Sequence, residues 1–221
     1  DVTPRQLSRL FREHIGASPV EVAQTRRLHF AKKLIDETDL PLAEVCFAAG
    51  FGSVRRFNAV FLATYKRSPK ELRQRLQRKQ RLTGKPIQMT LSYRPPFDWK
   101  TMLEFLATRH IPGVEHVTEN SYARTISIDG ISGDFKVEFL TGSREIKIEI
   151  NYPATKALYT IIDQIRSLFD LRADSVQIES FFEQDAILKP LVKNYPGMRV
   201  PGCWDGFEVS IRAILGQQVT V

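Results

Sequence analysis

A repeat within the first 75 residues limits what this chain can fold into more than any other feature. Two segments correspond at an offset of 50 positions, which predicts two copies of one small structural unit. Each copy carries an arginine-bearing amphipathic stretch that runs into Ser-Pro, and serine followed by proline is a typical helix start. Residues 19–37, between the copies, have the pattern of a rigid connecting helix. The corresponding pairs are Thr3 with Ser53, Arg5 with Arg55, Leu7 with Phe57, Phe11 with Phe61, Ser18-Pro19 with Ser68-Pro69, and Glu21 with Glu71.

Residues 40–61 contain the arginine-bearing helix of the second copy together with the segment that precedes it. They predict two short helices joined by a tight turn at Gly50. Ser53 can cap the second helix, which turns an aromatic side inward. Its other side carries polar residues: Arg55, Arg56 and Asn58. Such a helix can enter the major groove of DNA, because arginine and asparagine pair with the edges of guanine and adenine. A solvated helical face is the alternative interpretation.

The net charge of +7 is unevenly distributed along the chain. Residues 1–85 hold 18 Lys and Arg against 8 Asp and Glu, a net charge of +10. Residues 86–221 hold 14 against 17, a net charge of −3. A basic segment of this size favours a nucleic-acid surface, because neutralised phosphates release counterions. The acidic half requires another explanation, so two kinds of domain are predicted.

Composition argues against several other classes of protein. The sequence contains no run of about 18 apolar residues, which a membrane-spanning helix would need. It also shows no charged-then-apolar leader of the kind that directs secretion. Cys46 and Cys203 lie far apart in sequence, which suits the reduced thiols of a cytosolic protein. The four histidines are scattered and neither CxxC nor HxxxH spacing occurs, so no metal site is predicted.

The residue pattern changes after a linker at residues 73–85 that is rich in Arg, Lys and Gln. Alternating apolar residues then predict an antiparallel sheet with helices on one face, and no catalytic cluster appears inside it. Taken alone, this half also suits a small ligand-sensing domain. The predicted strands are 87–91, 122–128, 135–140 and 146–150, the hairpin turns are 129–130 and 141–143, and the helices are 99–111 and 154–171. A turn-rich segment at 196–202 leads into a last helix marked by Trp204, Phe207, Ile211, Ile214 and Leu215.

The first half resembles the DNA-binding domain of the AraC/XylS family of transcription activators, over roughly residues 1–77. The match is most specific in the second copy, at residues 43–45, 49–51, Phe57, Phe61 and Ser68-Pro69. The first copy begins at its recognition helix, so we expect a preceding helix ahead of Asp1, and the chain resembles an excerpt of a longer protein. The resemblance implies base-contacting positions on both recognition helices: Arg5, Ser8 and Arg9 in the first, and Val54, Arg55, Arg56 and Asn58 in the second.

The second half is similar to the amino-terminal portion of AlkA-type 3-methyladenine DNA glycosylases, over roughly residues 89–221. In that family a sheet domain precedes a helix-hairpin-helix glycosylase domain, and the enzyme flips an alkylated base out of DNA and cleaves its glycosidic bond. The matching motifs, in order, are PPFDW at 95–99, SLFDL at 167–171, PGMRVPG at 196–202 and RAILGQ at 212–217.

The same resemblance implies the residues of a base pocket. Phe105 would offer an aromatic face to a cationic base, and Gln217 would lie at the pocket mouth. Gln218 stands where the family has a large apolar minor-groove wedge, and glutamine can fill the gap and hydrogen-bond the orphaned base. A core aromatic is the alternative interpretation of Phe105. The family's catalytic aspartate lies beyond this chain, so no catalytic residue is assigned, and Asp185 and Asp205 are interpreted as helix-start residues.

The predicted fold class is multidomain. An all-α double helix-turn-helix domain at 1–80 and a linker at 81–87 precede an α+β antiparallel-sheet domain at 88–200 and the start of an α-helical helix-hairpin-helix glycosylase domain at 201–221. The predicted function joins transcription regulation to DNA repair in the bacterial alkylation response, with 3-methyladenine glycosylase activity in the parent protein and none in this segment alone.

The expected partners are double-stranded promoter DNA, alkylated DNA and RNA polymerase, with no membrane contact. We expect a monomer in the bacterial cytoplasm, associated with the nucleoid. No cofactor is predicted here, and zinc would belong to a methyl-accepting domain ahead of Asp1, which proteins of this kind often carry. Two alternatives stay open: an AraC-type activator with a ligand-sensing second domain and no enzyme activity, and a non-catalytic DNA-binding scaffold.

Overall fold

The computed structural model describes residues 2–76 and 86–216, which separate into two compact units. The first unit holds residues 2–76 together with 155–159, and the second holds 86–154 and 160–216. The first is helical and the second is built on an antiparallel sheet. The predicted fold class is therefore confirmed for both units.

The first unit repeats its helices at the predicted offset. The capping side chain at the start of α1 and of α4 accepts a hydrogen bond from the third backbone N–H of the helix, and both helices have 12 residues and end at a left-handed residue. Ser18 and Ser68 cap the next helix of each copy with the same reciprocal bonds to a glutamate. The helices are α1 (Pro4–Ile15), α2 (Pro19–Glu37), α3 (Leu42–Ala48), α4 (Val54–Tyr65) and α5 (Pro69–Arg75).

The two copies differ in how their helices are packed. Phe57 and Phe61 of α4 are fully buried, and the ring of Phe51, in the turn after α3, lies 5.2 Å from that of Phe57. Their counterparts on α1 are less covered, with Leu7 41% exposed and Phe11 half-buried. The difference arises because α3 precedes α4 and packs beneath it, whereas no described helix precedes α1.

The second unit is organised around a five-stranded antiparallel sheet in the order β1-β5-β4-β3-β2. Along β5 the isoleucines at 146, 148 and 150 are buried, while the alternate residues face the other way and are charged or polar. Apolar residues of α6 (Trp99–Thr108) and α7 (Leu158–Leu168) complete the core, including Met102, Leu103, Ile161 and Ile165. The strands are β1 (Ile87–Ser92), β2 (Glu115–Val117), β3 (Ser121–Ile128), β4 (Ile131–Phe139) and β5 (Glu145–Asn151).

The α-helices described after the first strand are α6 (Trp99–Thr108), α7 (Leu158–Leu168), α8 (Ser175–Phe182), α9 (Leu188–Asn194) and α10 (Gly206–Gly216), and a short 3-10 helix, Thr155–Ala157, precedes α7. Strand β2 and helices α8 and α9 were not predicted from the sequence, and α7 is shorter at both ends than the predicted helix 154–171. Trp204, predicted to lie in the last helix, precedes α10 and packs against Phe135 at 5.2 Å between ring centroids. Strand β2 has three residues, which are too few to show an alternating pattern, so the sequence did not predict it.

The loop at residues 196–202 packs closely on its surroundings. Arg199 is buried, lies over the Phe97 ring at 4.6 Å and donates hydrogen bonds to the carbonyls of Arg94, Pro96 and Asp170. The N–H of Gly202 donates to the carbonyl of Leu168 at the end of α7. Arg199 thereby satisfies carbonyl groups in two separate segments of the chain, residues 94–96 and Asp170.

The two cysteines have opposite environments. Cys46 is buried in the first unit, where burial raises the pKa of its thiol, and Cys203 is exposed in the second. Within the described ranges, none of the helices combines the length and the apolar character needed to cross a membrane.

Candidate nucleic-acid interface

The surface of α4 matches the predicted recognition helix. Its aromatic side is buried, while Val54, Arg55, Arg56 and Asn58 are all exposed. Among the described residues, no acidic side chain pairs with Arg55 or Arg56. Both guanidinium groups are therefore available to an external anion or a base edge.

The α1 helix presents a second arginine face. Arg5 and Arg9 are exposed and one turn apart, and Ser8 lies beside them, half-buried. Arg12 is also exposed and continues the same face by another turn, although the sequence analysis did not single it out. The signal was present in the spacing, since Arg5, Arg9 and Arg12 stand at i, i+4 and i+7.

The long helix α2 supports both faces. Four of its apolar residues are buried, and α2 contacts α1, α3 and α5. The hydroxyl of Tyr65 on α4 and Nδ1 of His29 on α2 share a hydrogen bond of 3.3 Å. The two arginine faces therefore stand on one helical scaffold.

Phe105, the predicted pocket aromatic, lies on the surface of α6. Its side chain is 40% exposed, so the core interpretation of this residue is wrong. The guanidinium carbon of Arg109 lies 4.0 Å from the centre of its ring and covers one face. Arg109 therefore adjoins the predicted pocket residue, and the available sequence signal was its spacing of four residues from Phe105 on a helix.

The other predicted pocket residues, Gln217 and Gln218, lie outside the described residues, which end at Gly216, the last residue of α10. The middle of α10 is tied to the end of α6, because Arg212 donates a hydrogen bond to the carbonyl of Arg109, the C-cap residue of α6. The helix that leads towards Gln217 and the helix that carries Phe105 are therefore directly joined.

A buried carboxylate, Glu115 on β2, lies where the sheet meets α10. It accepts hydrogen bonds from Tyr122 at 2.6 Å, from Arg124 at 3.2 Å, from Arg212 at 2.8 Å and from the N–H of Ile111 at 2.8 Å. Burial raises the pKa of the Glu115 carboxyl, but these hydrogen bonds outweigh it and hold the pKa below the usual range. Burial and the same carboxylate raise the pKa of Tyr122. Glu115 therefore stays ionised inside the unit.

Asp205 and Asp185 lie just before α10 and α9 and bond to backbone N–H groups there. Asp205 accepts the N–H of Glu208 at 2.8 Å, and Asp185 accepts the N–H groups of Ile187 and Leu188. This agrees with their interpretation as helix-start residues. Within residues 2–76 and 86–216, no three His, Cys, Asp or Glu side chains come together in a way that could hold a metal ion.

Comparisons with protein families match each unit separately. Residues 1–75 match the helix-turn-helix domain family, and residues 88–205 match the AlkA N-terminal domain family. The second match covers more than half of the chain, and its start lies within the first strand of the sheet.

Similar proteins align either with the whole chain or with part of it. A probable bifunctional transcriptional activator/DNA repair enzyme AlkA from Mycobacterium tuberculosis is 32% identical over 99% of this chain and 44% of its own length. DNA-3-methyladenine glycosylase 2 from Escherichia coli is 33% identical over 60% of this chain and 45% of its own length. The chain thus aligns with less than half of either relative.

A solved structure supports the fold of the second unit. A 3-methyladenine DNA glycosylase from Archaeoglobus fulgidus matches with a TM-score of 0.52 and 19% identity, over 59% of this chain and 45% of that one. At this identity the likeness shows a shared fold. The chain belongs to the AlkA N-terminal domain family, and an AraC-type helix-turn-helix domain precedes that domain.

Proposed function

We propose that this chain joins sequence-specific DNA binding to base excision, within a bacterial protein that regulates transcription and repairs alkylated DNA. The observation that carries the proposal is the order of the two units, which is the order found across 99% of this chain in the mycobacterial relative. That relative is named a probable activator and repair enzyme. The match of residues 88–205 to a glycosylase-associated domain favours repair over the alternative of a ligand-sensing domain.

The first unit binds double-stranded DNA through α1 and α4 in this proposal. Base contacts come from Arg5, Ser8 and Arg9 on one helix and from Val54, Arg55, Arg56 and Asn58 on the other. Support comes from the exposure of all of these residues except Ser8, which is half-buried, and from the absence of acidic partners for Arg55 and Arg56 among the described residues.

Arg55 provides a test of sequence reading. If Arg55 contacts a guanine, Arg55→Ala should remove about 1–3 kcal/mol of binding free energy that discriminates between bases at one position of the preferred site. Arg55→Lys is the matched control, because lysine keeps the charge but loses the planar fork. Each variant is bound to a randomised DNA library and the bound sequences are determined. If Arg55 contacts a base, both variants should lose the preference for guanine at one position of the site. Uniform weakening by alanine and none by lysine would indicate a phosphate contact instead.

The second unit supplies part of a base pocket in this proposal. Phe105 faces the extruded base, Gln217 lies at the pocket mouth and Gln218 enters the minor groove. The exposed ring of Phe105 supports its role, since a pocket aromatic must be accessible. The carboxylate that stabilises the departing sugar comes from the glycosylase domain that the family resemblance implies.

The decisive experiment measures base release by the full-length protein. Incubation with methylated duplex DNA should release 3-methyladenine, detected by chromatography. A protein that binds DNA and activates a promoter without releasing any base would establish the activator alternative. Binding without either activity would indicate a non-catalytic scaffold.

The setting of this activity is also proposed. An activator contacts RNA polymerase, and alkylated DNA is found where the chromosome is. We therefore place the protein in the bacterial cytoplasm at the nucleoid, as a monomer, with domain limits at 1–80, 81–87, 88–200 and 201–221.

A further inference from the structure

We propose that four charged side chains form a positioning clamp that fixes α10 on the sheet and on the end of α6 during base release. The clamp consists of Glu115 and Arg124 from the sheet and Glu208 and Arg212 from α10. It rests on the proposed glycosylase function, because its consequence is the geometry of the base pocket.

The four side chains close a ring in which each arginine bridges both carboxylates. Arg124 contacts Glu115 at 3.2 Å and both oxygens of Glu208, one of them at 3.3 Å. Arg212 contacts Glu115 at 2.8 Å and Glu208 at 2.8 Å. Each element contributes one acid and one base, so two ion pairs cross from sheet to helix and the charges balance.

Burial gives these ion pairs their strength. The side chains of Arg124 and Glu115 are 5% and 6% exposed, and those of Glu208 and Arg212 are 25% and 28% exposed. Ion pairs out of water are weakly screened, and guanidinium–carboxylate bonds are directional. The clamp therefore sets both the rotation of α10 about its axis and its position along the sheet.

Apolar packing does not account for the attachment of α10. None of the described residues of the helix is fully buried, and Phe207 is 76%, Ile214 is 63% and Leu215 is 57% exposed. Burial of apolar surface is also non-directional, so it would not fix a rotation. Within the described residues, the charged ring is the specific connection between α10 and the sheet.

The clamp also reaches the helix that carries the pocket aromatic. Arg212 donates to the carbonyl of Arg109, the residue that ends α6. Arg109 in turn covers the ring of Phe105, one turn earlier. One side chain thus links the sheet carboxylate, α10 and the end of α6. The four residues themselves are positioning residues, since they act on the pocket through these helices.

The test uses the full-length protein and the variant Arg212→Met, which keeps much of the side-chain volume and removes every clamp bond of that residue. We expect the single-turnover rate of base release to fall about tenfold or more, because a small misplacement of a catalytic site costs rate steeply. The Kd for undamaged DNA should change less than about threefold. Amide hydrogen exchange should accelerate in residues 206–216 and remain slow in β3 and β4.

Two further variants serve as comparisons. Arg212→Lys keeps the charge but not the fork, so it should recover part of the rate. Glu138→Gln removes a carboxylate that pairs with Lys136 and Lys147 on the exposed side of the sheet, and it should match the wild type in rate and exchange.

The possible results separate the clamp from the proposed function. An unchanged rate in Arg212→Met would overturn the inference, and so would a rate loss accompanied by equal acceleration of exchange in β3 and β4, which indicates general destabilisation. A wild-type protein that releases no base would refute the proposed function instead. In that case amide hydrogen exchange in Arg212→Met would decide on the clamp. Selective acceleration in residues 206–216 would support it, and unchanged exchange there would overturn it.

Discussion

At the scale of single residues, Arg109 is an unusual neighbour for Phe105, the proposed pocket aromatic. Its guanidinium carbon lies 4.0 Å from the centre of the Phe105 ring, so one face of that ring already holds a positive charge. A cationic alkylated base stacked on the opposite face would meet a like charge through the ring. A neutral damaged base would not.

We therefore expect Arg109→Met to shift substrate preference in the full-length protein. The ratio of excision rates for cationic N-alkylpurines over neutral damaged purines should rise about two- to fivefold, corresponding to about 0.5–1 kcal/mol. Lys100→Met removes an exposed charge from the same helix and should leave the ratio unchanged. An equal change for both substrates would show that Arg109 does not discriminate by charge.

Glu115 predicts a pH dependence of stability. Its pKa is lowered in the folded state, so its stabilising effect is present above the unfolded pKa and is lost as the pH falls through the folded pKa. Glu115→Gln should destabilise the second unit by about 2 kcal/mol at pH 7. The difference from wild type should shrink below about pH 4, where the unfolded carboxyl is protonated.

Tryptophan fluorescence can follow this transition, because the two tryptophans of the chain, Trp99 and Trp204, are both buried in the second unit. Urea unfolding at pH 7 and at pH 3.5 gives the comparison. Glu119→Gln, at an exposed position, should behave as wild type at both values. A Glu115→Gln effect of the same size at both pH values would contradict the assignment to an ionised Glu115.

At the scale of elements, the contact between the loop at 196–202 and the end of α7 is too close for a side chain. A Cβ at Gly202 would lie 2.4 Å from the carbonyl oxygen of Ser167, and backbone cannot yield as a flexible side chain would. Gly202→Ala should therefore destabilise the second unit by about 1–3 kcal/mol. Gly206→Ala is the matched control, since nothing lies within 4 Å of its Cβ position and it starts a helix. Urea midpoints followed by fluorescence should separate the two variants, and equal midpoints would mean that the loop can move away.

The helices of the first unit were predictable because their signals are local. Ser68, Pro69 and Glu71 lie within four residues of one another and begin α5 as expected. The alternation of residues 146–150 likewise predicted β5. Such patterns depend on neighbours along the chain, which a sequence displays directly.

The clamp could not be predicted, because its members meet only in the fold. Arg124 and Glu208 are separated by 84 positions, and each reads as an ordinary surface charge in its own segment. The exposure of Phe105 was also hidden, since an aromatic at helical spacing beside Met102 and Leu106 suits a core as well as a surface. Burial depends on which elements face a helix, and periodicity carries no such information.

At the scale of the whole molecule, the uneven charge predicts which unit makes DNA binding sensitive to salt. Residues 1–85 carry +10 and residues 86–221 carry −3, so non-specific DNA affinity should come mainly from the first unit. If six phosphates are contacted, affinity should fall about 10³-fold between 50 and 200 mM salt. If Arg12 contacts one of these phosphates, replacing it by glutamine should lower the salt slope by about one, measured by fluorescence anisotropy. Lys147→Gln, on the sheet, should leave the slope unchanged, and a change there would place DNA on the sheet instead.

The contrast between the two cysteines has a practical consequence. Cys46 is buried and its thiol pKa is raised, whereas Cys203 is exposed and lies three residues before α10. Thiol-reactive dyes attack accessible thiolates, so a maleimide should modify Cys203 first in this chain. A fluorophore placed there, without any substitution, would report movement beside α10 as DNA binds.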